Sequence, residues 1–177
     1  EAFGGDVAWL GAQRLAMVTI SPLTPVMVVD KNVTPAMPVE VTGVLITHAA
    51  LRDGESLVIR EPQAGELLTV TIPAGTALTR NRDVATVADL QPGDLIVVTR
   101  DVAGKVLSAS AAYQLVDGKV AGFAESKLLL QDGAVYQLSP QAHAEDARGN
   151  AVALADLKAG QEVTLRVTPG TTMIWGI

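Results

Sequence analysis

The chain has 177 residues, no cysteine and a formal net charge of -6. The missing cysteines exclude disulfides, thiol chemistry and zinc–cysteine sites, and the acidity repels a phosphate backbone, so nucleic acid is not an expected partner. Apolar residues make up 49% but aromatics only 3%, which gives an aliphatic core and few rings for stacking sugars or single-stranded nucleic acid.

The first segment, residues 1–38, is rich in apolar residues and in prolines, at positions 22, 25, 35 and 38. Its apolar region from Val7 to Val29 is broken by Arg14, Pro22 and Pro25, so no membrane-spanning helix is expected. Ala8–Met17 fits a short amphipathic helix. Leu15–Ile20 and Pro25–Asp30 fit strands equally well, and the prolines favour extended backbone. A start at Glu1 rather than Met leads to the expectation of a secreted, mature form whose signal peptide has been removed.

From Val39 onward, strand signals dominate. Runs rich in β-branched residues occur at Val39–Thr47, Ser56–Arg60, Leu67–Ile72, Asp94–Arg100 and Lys105–Tyr113. They resume at Lys119–Ala124, Lys127–Leu130, Ala134–Leu138, Glu162–Val167 and Thr172–Ile177. Turn pairs such as Asp53-Gly54, Pro92-Gly93, Asp117-Gly118 and Asp132-Gly133 separate many of them. Short strands at this spacing indicate a sandwich or barrel.

An internal repeat organises these strands. Ala88-Asp89-Leu90-Gln91-Pro92-Gly93-Asp94 matches Ala155-Asp156-Leu157-Lys158-Ala159-Gly160-Gln161, 67 positions later, and the same shift sets Pro73 on Pro140. Upstream, Val41-Thr42-Gly43 resembles Val120-Ala121-Gly122 at a shift of 79. The difference, 79 minus 67, gives the first copy about 12 extra residues within Arg52–Gly65. The Asp of each motif is expected to cap local N–H groups. The Leu is expected to plug a barrel end, and the Gly to take a positive φ before the next strand.

The pattern resembles the repeated, OB-like small β-barrel modules of bacterial and archaeal cell-surface, S-layer-associated proteins. Gly43, Val70, Asp89, Leu90, Gly93, Asp94, Ile96 and Val98 carry the resemblance in the first copy. Gly122, Asp156, Leu157, Gly160, Val163 and Leu165 carry it in the second, with Gln161 where the pattern has an acid. The resemblance implies fold and surface location rather than chemistry. The expected architecture is all-β, with two tandem small β-barrel (OB-like) units behind an extended apolar N-terminal arm. The arm is 1–38, the first unit 39–116 with its insertion near 52–65, and the second unit 117–177.

Chemistry-bearing residues are sparse. His48 and His143 fall at non-equivalent places in the repeat, and surface or turn placement is expected for both. No Gly-x-Ser-x-Gly elbow surrounds a serine; Ser108 and Ser110 lie in an alternating strand, and Ser139 precedes Pro140. Calcium is the one cofactor with candidate ligands, from Asp146 and Asn150 or from Asp30 and Asn32. Turn formation is the competing and favoured role for those residues. Asn32-Val33-Thr34 fits the N-glycosylation pattern.

The expectation is therefore a non-enzymatic extracellular subunit of a filament, sheath or surface layer, with copies of itself as partner. Its N-terminal arm would add a strand to a neighbour. The interface residues are Val7, Trp9, Leu10, Leu15, Met17, Val18, Ile20, Val26 and Val28. The alternative is a monomeric module that binds cell-wall or cell-surface polysaccharide, and the arm can equally pack on its own barrels.

Overall fold

The computed structural model describes residues 37–177 and, as backbone, the strands Ala16–Ile20 (β1) and Thr24–Val28 (β2). These two pair antiparallel with Val18 opposite Val26. Most of the expected arm lies outside the described residues, including Val7, Trp9, Leu10, Leu15 and the calcium and glycosylation candidates Asp30 and Asn32.

The first large sheet holds β3 (Val39–Leu51), β4 (Gly54–Arg60), β5 (Leu67–Pro73), β6 (Ala77–Arg80), β7 (Asp83–Val84), β8 (Leu95–Arg100) and β9 (Val106–Ala112). Its order is β5-β4-β3-β8-β9-β6-β7. The second holds β10 (Gln114–Ala124), β11 (Lys127–Leu130), β12 (Val135–Glu145), β13 (Ala151–Val152), β14 (Glu162–Val167) and β15 (Met173–Gly176). Here β10, β11, β12, β15 and β14 close into a five-stranded barrel, with β12 and β15 parallel. Taken in chain order, the barrel strands run 1-2-3-5-4 and return to 1. The first sheet follows the same path, but its third strand is split into β5, which pairs with β4, and β6, which pairs parallel with β9. The chain is thus all-β and OB-like in strand path.

Alternation builds two cores. Leu57, Ile59, Val70, Ile72, Ile96 and Val98 point inward every second residue and are buried in the first. Val120, Leu128, Leu130, Leu165, Val167 and Ile174 do the same in the second. Short 3-10 turns at Val87–Asp89 and Leu154–Asp156 lead into β8 and β14, at positions matched by the shift of 67. Asp89 accepts from the Thr86 N–H and hydroxyl, both at 2.7 Å, and Leu90 is buried. In the second copy the turn has no side-chain cap and Leu157 is only half-buried, so the expected cap and plug hold in the first copy alone. Gly93 and Gly160 carry φ of 91° and 85°, where a side chain would strain the backbone.

The strand register corrects one part of the sequence alignment. Gly43 lies opposite Ile96, and Gly118 lies opposite Val163. Leu45 exchanges backbone hydrogen bonds with the Gly93–Asp94 pair, as Val120 does with Gly160–Gln161. Gly43 therefore corresponds to Gly118, a shift of 75, and not to Gly122. The first copy is longer by 75 minus 67, or 8 residues, rather than 12. Half of the excess lengthens the β3–β4 hairpin: Leu45 pairs with Ile59, 14 residues on, and Val120 with Leu130, 10 on. The rest lies between Ile59 and Pro73. No helix among the described residues is long and apolar enough to cross a membrane.

Candidate functional site

A buried polar cluster sits where the two sheets meet. Asp94 closes the turn that leads into β8 and is fully buried. Arg80, at the end of β6, donates from Nε to Asp94 Oδ2 at 2.8 Å and from Nη2 to Oδ1 at 3.1 Å. The Gln91 N–H donates to Oδ2 at 2.9 Å. From the second sheet, Arg166 on β14 donates from Nη1 to Asp94 Oδ1 at 3.2 Å and from Nη2 to the Pro92 carbonyl at 2.9 Å. Two oxygens offer about four lone-pair sites. These four donors take them all, which leaves none for a metal ion or a proton in transfer.

Neighbouring contacts extend the clasp. Thr168 donates its hydroxyl to the Gly93 carbonyl at 2.7 Å. The Trp175 ring covers Gly93 so closely that a Cβ there would collide with it. The Arg80 guanidinium lies 4.4 Å from the centre of the Tyr113 ring, which provides a cation–π contact. Tyr113 is the single residue between β9 and β10. Burial pushes the Arg166 guanidinium below the ordinary arginine value, and the Asp94 charge opposes that shift. The arrangement ties the two sheets together through Asp94, Pro92 and Gly93, and removing one partner of such a buried ion network leaves an uncompensated charge.

Beside the clasp runs a groove of about 210 Å³ lined by Val44, Ile46, Pro62, Met173 and Trp175 among others. The Trp175 Nε1–H is buried and has no partner among the described residues.

The sequence candidates are scattered. Met17, Val18 and Ile20 lie on β1, and Val26 and Val28 on β2. His48 is on β3 opposite Leu57. His143, on β12, has Nε2 3.8 Å from Glu145 Oε1, with both side chains about half exposed. Ser108 and Ser110 alternate along β9, while Ser139 is buried and its Oγ accepts from the Gln141 N–H. Asp146 accepts from the N–H groups of Arg148 and Asn150 and from the Asn150 side-chain amide, at 2.8–2.9 Å. These bonds, the Asn150 side chain first, hold its carboxyl below the ordinary range. Among the described residues no three His, Asp or Glu side chains gather as a metal site.

The sequence reading missed the clasp, although one signal was present. Asp94 aligns with Gln161, and both accept from the backbone three residues earlier: Gln91 N–H to Asp94, and Lys158 N–H to Gln161 Oε1 at 3.1 Å. Only the acid also gathers two arginines. Comparison with protein-family models and with curated proteins finds no match for this chain.

Proposed function

We propose that this chain is a non-enzymatic structural subunit outside the cell, one that assembles with its own copies into a filament, sheath or surface layer. Assembly proceeds by strand addition from the N-terminal segment to a neighbour. The observation that supports this reading is the Asp94 clasp with its one-residue connection through Tyr113. A subunit that repeats in an ordered polymer needs its parts at a constant angle, because an angular error at one junction is multiplied along the assembly. A buried acid whose every acceptor site is filled from both sheets meets that need. The prolines and uncharged run of the N-terminal segment suit an extended, donated strand.

Electron microscopy and sedimentation of the full chain over a wide concentration range test the reading. Ordered polymers are expected, and they should disappear when residues 1–30 are deleted while circular dichroism keeps its β signature. A full chain that stays monomeric at every concentration overturns the proposal. Specific retention on a glycan array would instead favour a polysaccharide-binding module.

A further inference from the structure

We infer that the acceptor for the donated strand is the edge of β5 that lacks a strand partner among the described residues, and that its occupant is β1 of a second copy. This rests on the assembly reading above.

The two sheets differ at one seam. In the second barrel β12 and β15 close it, with Gln137 opposite Met173 and Leu138 opposite Ile174. The shift of 67 carries these pairs onto Val70–Val106 and Thr71–Leu107. Among the described residues no ladder exists there: β5 pairs with β4 alone, and β9 meets β6 from Ser108 onward. One edge of β5 therefore lacks a strand partner among the described residues.

The chemistry of that edge invites pairing. Leu67–Ile72 holds no charge and no proline, and Leu67 is 59% exposed. Native edges are ordinarily guarded by Lys, Pro or a bulge, and here only Pro73 closes the far end. Although β5 approaches β9, the seam has no ladder to break. Admitting a strand at the usual spacing of about 4.8 Å therefore sacrifices no inter-strand hydrogen bond.

The occupant follows from length and charge. Residues 15–29 are uncharged, so no like charges meet when the edges join. Each strand of the β1–β2 hairpin has five residues, which suits the open stretch of β5. Pro25 in β2 cannot donate to a ladder, which leaves β1 as the donor edge.

Because the chain has no cysteine, introduced thiols report cleanly. Full-length Thr69→Cys is mixed with full-length Met17→Cys or Val18→Cys and oxidised. Side chains alternate across a strand, so one of the two donor positions, and not both, should link to position 69. Its yield should exceed at least tenfold that of the same donor with Lys127→Cys on the closed barrel. Thr69→Lys should raise the concentration needed for assembly at least tenfold with an unchanged melting temperature. If the wild-type chain assembles but neither effect appears, the acceptor is elsewhere and the assembly reading stands. If a 17–69 or 18–69 link forms only within one doubly substituted chain, the second-copy assignment is overturned. If the wild-type chain does not assemble, both readings fall.

Discussion

Asp94 and Arg166 stand 72 positions apart in sequence, yet Arg166 Nη1 donates to Asp94 Oδ1 at 3.2 Å across the junction of the two sheets. Removing Asp94 leaves two largely buried arginines facing each other without a counter-charge. Asp94→Ala should therefore destabilise the chain by about 3 kcal/mol, the low end for breaking a buried pair because both guanidinium groups keep some water. Arg166→Lys keeps the charge but loses the fork that also reaches the Pro92 carbonyl, and should cost about 1 kcal/mol. Urea unfolding measures both. No measurable cost for Arg166→Lys would contradict the forked role of Arg166.

The turn between β6 and β7 offers a stabilising change. Arg80 pairs with Asp83, and the two residues between them, Asn81 and Arg82, have φ of 49° and 77°. A two-residue hairpin turn with both φ positive favours Asn followed by Gly. Asn81 suits its place, but Arg82 carries a side chain in a region that strains it by about 1 kcal/mol or more. Arg82 is exposed, so its removal loses little packing. The greater freedom of Gly in the unfolded chain offsets part of the gain. Arg82→Gly should raise stability by about 0.5 kcal/mol in a denaturant titration, and a loss of stability would count against this account of the turn.

How much of this was legible follows from which signals are local. Period-two alternation exposed most strands of both sheets, because inward residues such as Leu57, Ile59, Val70 and Ile72 read directly as a half-buried face. The short β6, β7 and β13 gave no such run, and Asp117-Gly118, expected as a turn, lies inside β10 paired with β14. The shift of 67 between the Asp-Leu motifs was equally local, and it carried the two 3-10 turns with it. The correspondence of Gly43 was not local. Sequence similarity favoured Gly122, whereas the register depends on the hydrogen bonds that Leu45 donates to the Asp94 carbonyl and accepts from the Gly93 N–H. The clasp was hidden for the same reason: Arg80, Asp94 and Arg166 carry no joint pattern until the fold gathers them. The split of the third strand turns on the break at Ala74–Thr76, three small residues that read as an ordinary turn.

Acid should weaken the chain through two turn carboxylates. Asp89 is held below the ordinary aspartate range first by the Thr86 backbone N–H and then by the Thr86 hydroxyl, and Asp146 by Asn150 and Arg148. Each binds its proton less readily when folded than when unfolded. Their contribution is therefore complete above the unfolded-state value, near pH 4, and is lost as pH falls through the lower folded-state value. Asp146→Ala should lower the melting temperature at pH 7, and the gap from wild type should narrow steadily below about pH 4. Both groups are exposed, so the effect should be small. Melting curves that stay parallel down to pH 2 would exclude a linked carboxylate.

Alanine at three glycines tests the repeat register directly. A Cβ on Gly43 would lie 2.9 Å from the Ile59 Cβ, a stiff branched atom in the first core. On Gly118 it would lie 2.5 Å from Leu130 Cδ1, the end of a more adaptable but buried side chain. On Gly122 it would meet nothing within 4 Å, and that glycine does not have a positive φ. Gly43→Ala and Gly118→Ala should each destabilise by about 1–3 kcal/mol, the former more, as overpacked cores do. Gly122→Ala should be neutral or stabilising by up to about 0.5 kcal/mol, since alanine restricts the unfolded chain. Thermal melts of the three variants separate the alternatives. If Gly122→Ala costs as much as Gly43→Ala and Gly118→Ala costs nothing, the two copies align at 79 and the register derived from Leu45 and Val120 is wrong.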